Sequence, residues 1–287
     1  MVELKKMNAQ IQTFHSSSSF PDKPAGPDED FLLVRNNIFA VFDGVTLLFQ
    51  DPYPDPSPAY DVSQIAAETI AEGISQDVSQ RTVSLLSKVF KEANSCVKEY
   101  NNRLGITRKT VDHLSRQYAS TVGAFGFFAN GILYFAQIND SGVMVFDPLG
   151  NREVDFVINS KPLINYLTDL EKAGKFQPGS KEEHIFIRSQ VVNNCNLFYQ
   201  NQKIDFGVMN GQDEAVDFLH FGCCNIVSGQ IALFYTDGFL PFVYDKEFIK
   251  VLLVAGDKSK ITEYISQKET LGEKFQKEKT MIVVHFS

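Results

Sequence analysis

Two stretches of the chain end in the same way. Phe39-Ala40-Val41-Phe42 runs into Asp43-Gly44, and Ile231-Ala232-Leu233-Phe234-Tyr235-Thr236 runs into Asp237-Gly238. Each is a run of β-forming residues that delivers a carboxylate and then a glycine. An aspartate at a strand end can hold a hard cation, and the glycine lets the backbone carbonyl approach that cation closely. One such dipeptide is commonly no more than a turn. Two of them, each closing a buried strand, could place two aspartates at one sheet edge.

Further carboxylates stand at Asp28-Glu29-Asp30, after a polar and proline-rich run, and at Asp140 in Asn139-Asp140-Ser141, between two apolar runs. The acidic triplet reads either as a solvated turn or as a set of outer carboxylates near a metal. His15, His113, His184, His220 and His285 are scattered, so no catalytic triad can be argued from them. Cys96, Cys195, Cys223 and Cys224 make no C-x-x-C pair, which argues against a zinc site. The adjacent Cys223 and Cys224 are poorly placed to bridge each other, and buried free thiols are expected.

These residues need elements to position them. A strand is expected around Ile11–Phe14, and a hairpin from 31–34 and 38–42 turning at Arg35-Asn36-Asn37. The prolines of 51–58 forbid regular structure there. Helical periodicity then predicts helices over 60–77 and 82–103. Strands over 120–128, 132–139 and 142–147 read as a meander, followed by a helix over 160–173 with Ser160 as N-cap and Gly174 as its stop. Strands are expected at 184–191, 195–200 and 225–228, a short helix at 213–219, and helices at 245–255 and 258–268. The apolar 280–286 closes the chain as a strand. No internal repeat or linker divides it, so one domain over 1–287 of α+β class is expected.

Composition narrows the function. The chain has 287 residues, enough for a sizeable core, and a formal net charge of −8, which argues against nucleic acid as a partner. No apolar run reaches the roughly 18 residues that span a membrane, and the N-terminus carries no signal-peptide pattern. A cytoplasmic protein with no membrane partner is the expectation. The sequence leaves the oligomeric state open.

In their order, Asp28-Glu29-Asp30, Asp43-Gly44, Ala119-Ser120-Thr121, Asn139-Asp140-Ser141, Thr236-Asp237-Gly238 and Lys277-Glu278-Lys279-Thr280 resemble the motifs of the metal-dependent Ser/Thr protein phosphatases of type 2C. The resemblance spans residues 26–286. It implies a four-layer α-β-β-α sandwich, two mainly antiparallel sheets flanked by helix pairs, with two Mg²⁺ or Mn²⁺ ions at one end. It implies a phosphorylated protein as substrate, hydrolysed by a metal-activated water. By the same resemblance Asp43 would bridge both ions, the Gly44 carbonyl would bind one, and Asp237 the other. Glu29 and Asp30 would orient metal-bound water from behind the ligands, and Asp140 would add a carboxylate nearby.

Three departures from the pattern bear on activity. Lys277 stands three residues before Thr280, where the family carries a metal-binding aspartate, and an ammonium repels a metal. Glu278 is the neighbouring candidate ligand. Ala25 replaces an arginine that holds substrate phosphate, leaving Lys23 as the nearest cation, and Gly142 replaces another arginine. One metal site therefore reads as intact and the other as impaired. The rival reading is a phosphatase-like fold that acts as a regulatory or binding module with little or no catalysis.

Overall fold

The computed structural model describes residues 8–18, 28–47, 56–77, 82–254 and 258–287. The chain opens with β1 (Ala9–Ser16) and the hairpin of β2 (Phe31–Arg35) and β3 (Ile38–Gly44). Helices α1 (Pro58–Gln76) and α2 (Val83–Arg103) follow. Next come β4 (Thr121–Ala129), β5 (Ile132–Ile138), β6 (Gly142–Phe146) and β7 (Arg152–Phe156). Helices α3 (Lys161–Lys172) and α4 (Lys181–Gln190) lead to the small hairpin of β8 (Phe198–Tyr199) and β9 (Gln202–Lys203). The last part holds β10 (Leu219–Asn225), β11 (Ile231–Tyr235), α5 (Leu240–Val243), α6 (Lys246–Val254), α7 (Lys258–Glu269) and β12 (Lys279–Phe286).

Two five-stranded antiparallel sheets, ordered β1-β12-β11-β6-β7 and β10-β5-β4-β3-β2, form the centre. Their inner strands are apolar on both faces because both faces are covered, and the period-2 geometry of a strand sorts the side chains between layers. On β3, Ala40 and Phe42 point toward α1 and α2 and meet Ile70, Leu86 and Phe90. Phe39 and Val41 point the other way, against Phe234, Ile282 and Val284 of the opposite sheet. On the far side Leu233, Tyr235, Met281 and Val283 pack on Phe242, Phe248, Leu252 and Ile261 of α5 to α7. This is the α+β four-layer sandwich expected from the sequence.

Several expectations are corrected. Residues 184–191 are not a strand. Ile185 and Ile187 alternate like one, but Ser180 caps a helix by accepting from the Glu183 N–H (3.2 Å), and α4 forms instead. Only two residues of 195–200 are strand. The strand expected at 225–228 lies earlier, as β10, with 226–229 turning the chain; β7 was not foreseen. Ser160 makes no side-chain cap, and the Asn159 amide oxygen accepts from the Lys161 N–H (3.1 Å) in its place. The 213–219 helix is a six-residue 3₁₀ helix. Most of 51–58 lies outside the described residues; Ser57 and Pro58 begin α1. The four cysteines are free, but none is buried.

The meander also fails, with a consequence for the site. β4 and β5 pair in one sheet, whereas β6 pairs with β11 in the other. The chain leaves the first sheet at Asn139, whose φ of 66° lies in the left-handed region that asparagine tolerates. Asp140 therefore sits where the chain crosses between sheets.

Candidate metal centre

The two strand-ending aspartates come from different sheets. Asp43 closes β3 in one, and Asp237 follows β11 in the other, opening a short 3₁₀ turn. Glycine is required after both. A Cβ at Gly44 would lie 2.8 Å from the Glu29 Cβ and 2.9 Å from Ala59, and a Cβ at Gly238 would fall on the Glu278 carbonyl oxygen. The Asp43 carbonyl accepts from the Thr121 hydroxyl (2.8 Å), which Ser63 of α1 meets at 2.9 Å.

The acidic triplet is not a solvated turn. Glu29 and Asp30 are buried and only Asp28 is exposed. The Asp30 carboxylate accepts from the Thr236 hydroxyl (2.8 Å), and that hydroxyl in turn accepts from the Thr280 N–H (2.9 Å). Glu29 accepts from the hydroxyls of Thr46 and, at 2.5 Å, Ser57, the N-cap of α1. Glu278 reaches back across the site: its carboxylate accepts from the backbone N–H groups of Glu29 (3.0 and 3.1 Å) and Asp30 (2.9 Å). The loop 28–30 is thus tied to β12 on one side and to α1 on the other.

The electrostatics follow from this crowding. Burial first, then Asp30, Asp237, Asp140 and Glu278, hold the Asp43 carboxyl well above the ordinary carboxylate range. Asp30 is raised by burial and by Glu278, against the opposing hydrogen bonds of Thr280 and Thr236. Burial and then Asp237 push Asp140 up to about 6. Burial raises Glu278 to about 7, with the Asp30 and Glu29 N–H groups opposing it and Asp28 and Glu29 adding to it.

Lys277 faces these groups. Its ammonium donates to Asp237 at 2.5 Å. Burial works against its charged form, but Asp237, Asp140 and Asp43 outweigh that and hold the ammonium above its usual value. Gly142 also has a local reason: a Cβ there would run into the Tyr235 hydroxyl, so the backbone has no room for a longer side chain.

The structure thus brings Asp30, Asp43, Asp140, Asp237, Glu278 and Lys277 together, with Gly44 beside them and Glu29 bracing the loop from behind. Lys23 and Ala25 lie outside the described residues. Sequence reading places Thr236 and Thr280 in motifs without giving them a role, and misses Thr46 and Ser57; these four hold the carboxylates. Only their adjacency to Asp237-Gly238, Asp43-Gly44 and the helix start offered a local signal.

The donor set is entirely oxygen. The Asp43 carboxylate has no hydrogen-bond donor among the described residues, so its lone pairs are free for a cation. Crowded, half-buried carboxylates that repel one another above their ordinary range are a site short of positive charge, and hard oxygen donors suit Mg²⁺ or Mn²⁺. Asp43, Asp237 and Asp140 are the carboxylates that could hold such an ion.

No protein-family model and no curated protein matches the sequence. Solved structures do match, over nearly the whole chain. The catalytic domain of the serine/threonine protein phosphatase PstP, in complex with two manganese ions, aligns with a TM-score of 0.64 at 13% identity, covering 98% of this chain and 99% of that one. The S. agalactiae serine/threonine phosphatase aligns at 0.56 with 14% identity, covering 97% and 99%. RsbX in complex with magnesium aligns at 0.51 with 12% identity, covering 97% and 96%. The chain has the fold of the metal-dependent Ser/Thr phosphatases.

Proposed function

We propose that the chain is a metal-dependent phosphatase that hydrolyses phosphoserine or phosphothreonine esters of proteins, using Mg²⁺ or Mn²⁺. The observation that carries this reading is the convergence of Asp43 from one sheet, Asp237 from the other and Asp140 from the crossing between them. A divalent ion bound there supplies a Lewis acid that acidifies water and neutralises a phosphoryl group. Asp43 and Asp237 would hold it, and Asp30, fixed by Thr236, would supply a further carboxylate that can hold a proton or orient water. No nucleophilic side chain is required, which agrees with the absence of a Ser/His or Cys/His grouping in the motifs.

A second reading, an inactive phosphatase-like module, is favoured by one observation, the ion pair of Lys277 with Asp237. Hydrolysis of an aryl phosphate, followed with increasing Mn²⁺, separates the two. The enzyme reading expects turnover that Asp43→Asn abolishes while the far-UV circular dichroism stays unchanged. Absence of turnover in the wild-type protein at every metal concentration supports the module, and wild-type turnover in Asp43→Asn places the chemistry elsewhere.

A further inference from the structure

The segment that carries Lys277 is pinned from two directions. The Glu278 carbonyl packs over Gly238, where even a Cβ would not fit, and the Glu278 carboxylate is bound by the N–H groups of Glu29 and Asp30. The backbone beside Lys277 is therefore held in place, and its half-exposed side chain reaches the carboxylates from there. The ammonium meets Asp237 at 2.5 Å and feels the charges of Asp140 and Asp43 as well. Among the described residues no other cationic side chain forms an ion pair with Asp30, Asp43, Asp140 or Asp237.

We infer that the Lys277 ammonium is the built-in cation of this centre: it neutralises the Asp237 side, and the protein takes up one divalent ion where a carboxylate in its place would allow two. The inference rests on the metal-dependent reading above and deepens it. The ammonium is engaged with the site, its charge opposite to that of the carboxylates. Two consequences separate a built-in cation from a mere obstacle. The metal-free protein should depend on Lys277 for stability, since removing the ammonium leaves like charges unscreened. The number of bound ions should also change with the charge at position 277.

Both are read on the full chain without any assay of activity. Calorimetric titration with Mn²⁺ is expected to give one ion per wild-type chain and two per Lys277→Asp chain. In chelator, the melting temperature of Lys277→Met, which keeps the stem and loses the charge, is expected below wild type, and that of Lys277→Asp lower still. Mn²⁺ should restore Lys277→Asp. Two ions per wild-type chain, one ion in Lys277→Asp, or an unchanged or higher melting temperature for Lys277→Met in chelator would overturn the inference while leaving the metal-dependent reading standing. No ion in either protein would overturn both. Where Lys277→Asp fails to fold without metal, Lys277→Met and the wild-type stoichiometry still decide.

Discussion

Thr236 shows how much of the site depends on uncharged residues. One buried hydroxyl donates to Asp30 and accepts from the Thr280 N–H, joining the acidic loop to β12. Thr236→Val keeps the shape and removes both bonds, stranding a buried N–H and leaving the buried Asp30 carboxylate with one donor fewer. A cost of about 1–3 kcal/mol is expected, measured by urea denaturation. The raised carboxyls make a second prediction at this scale. In the unfolded chain a carboxyl loses its proton near about pH 4, whereas Asp140 holds its proton to about 6 and Glu278 to about 7. Between those values the folded chain binds more protons than the unfolded one, so their contribution to stability is present at low pH and lost as pH rises. Metal-free protein should show this loss between pH 4 and 7 in a melting series, and Asp140→Asn should flatten the part of it near 6.

At the scale of elements, the sequence was most legible where one face or two were plainly apolar. The strands around Asp43 and Asp237, α1, α2 and β12 are long or uniformly buried, so local pattern and tertiary environment agree. The errors have physical causes. β7 reads Arg-Glu-Val-Asp-Phe because it is a sheet edge, with charged side chains facing water. α4 hides behind Ile185 and Ile187, and its deciding residues are Ser180 and Glu183 at its start. Ser180→Ala should destabilise this helix by about 0.5–2 kcal/mol, seen as faster amide exchange across 181–190 with little change elsewhere. The site itself was half legible: Asp43 and Asp237 carry a local signature, but the bonds from Glu278 to loop 28–30 and from Thr236 to Asp30 join residues more than 200 positions apart. No local pattern encodes such contacts.

At the scale of the molecule, the central apolar layer sets the spacing of the carboxylates. Phe39 and Phe234 are fully buried and meet with ring centroids 5.4 Å apart, one from each sheet. Phe39 leads along β3 to Asp43, and Phe234 along β11 to Asp237. Phe234→Ala should cost about 3–5 kcal/mol by its cavity, measured as a shift in denaturant midpoint. It should also weaken Mn²⁺ binding, because the two carboxylates lose a fixed separation. A Phe234→Leu variant should recover most of both, which would be hard to explain if the sheets were held apart by some other contact.

That the carboxylates come from opposite sheets gives the centre a mechanical meaning. Asp43 and Asp237 stand on either side of the seam between two sheets that share no ladder hydrogen bond among the described residues. Apolar layers resist separation but slide with little directional penalty. An ion held from both sides, as proposed, would act as a rivet through that seam and oppose shear, which the phenylalanines oppose least. Under force applied across the sheets, in a single-molecule pulling geometry, the metal-loaded protein should yield at higher load than the metal-free one. Asp43→Asn should remove the difference, leaving two plates joined only by their greased faces.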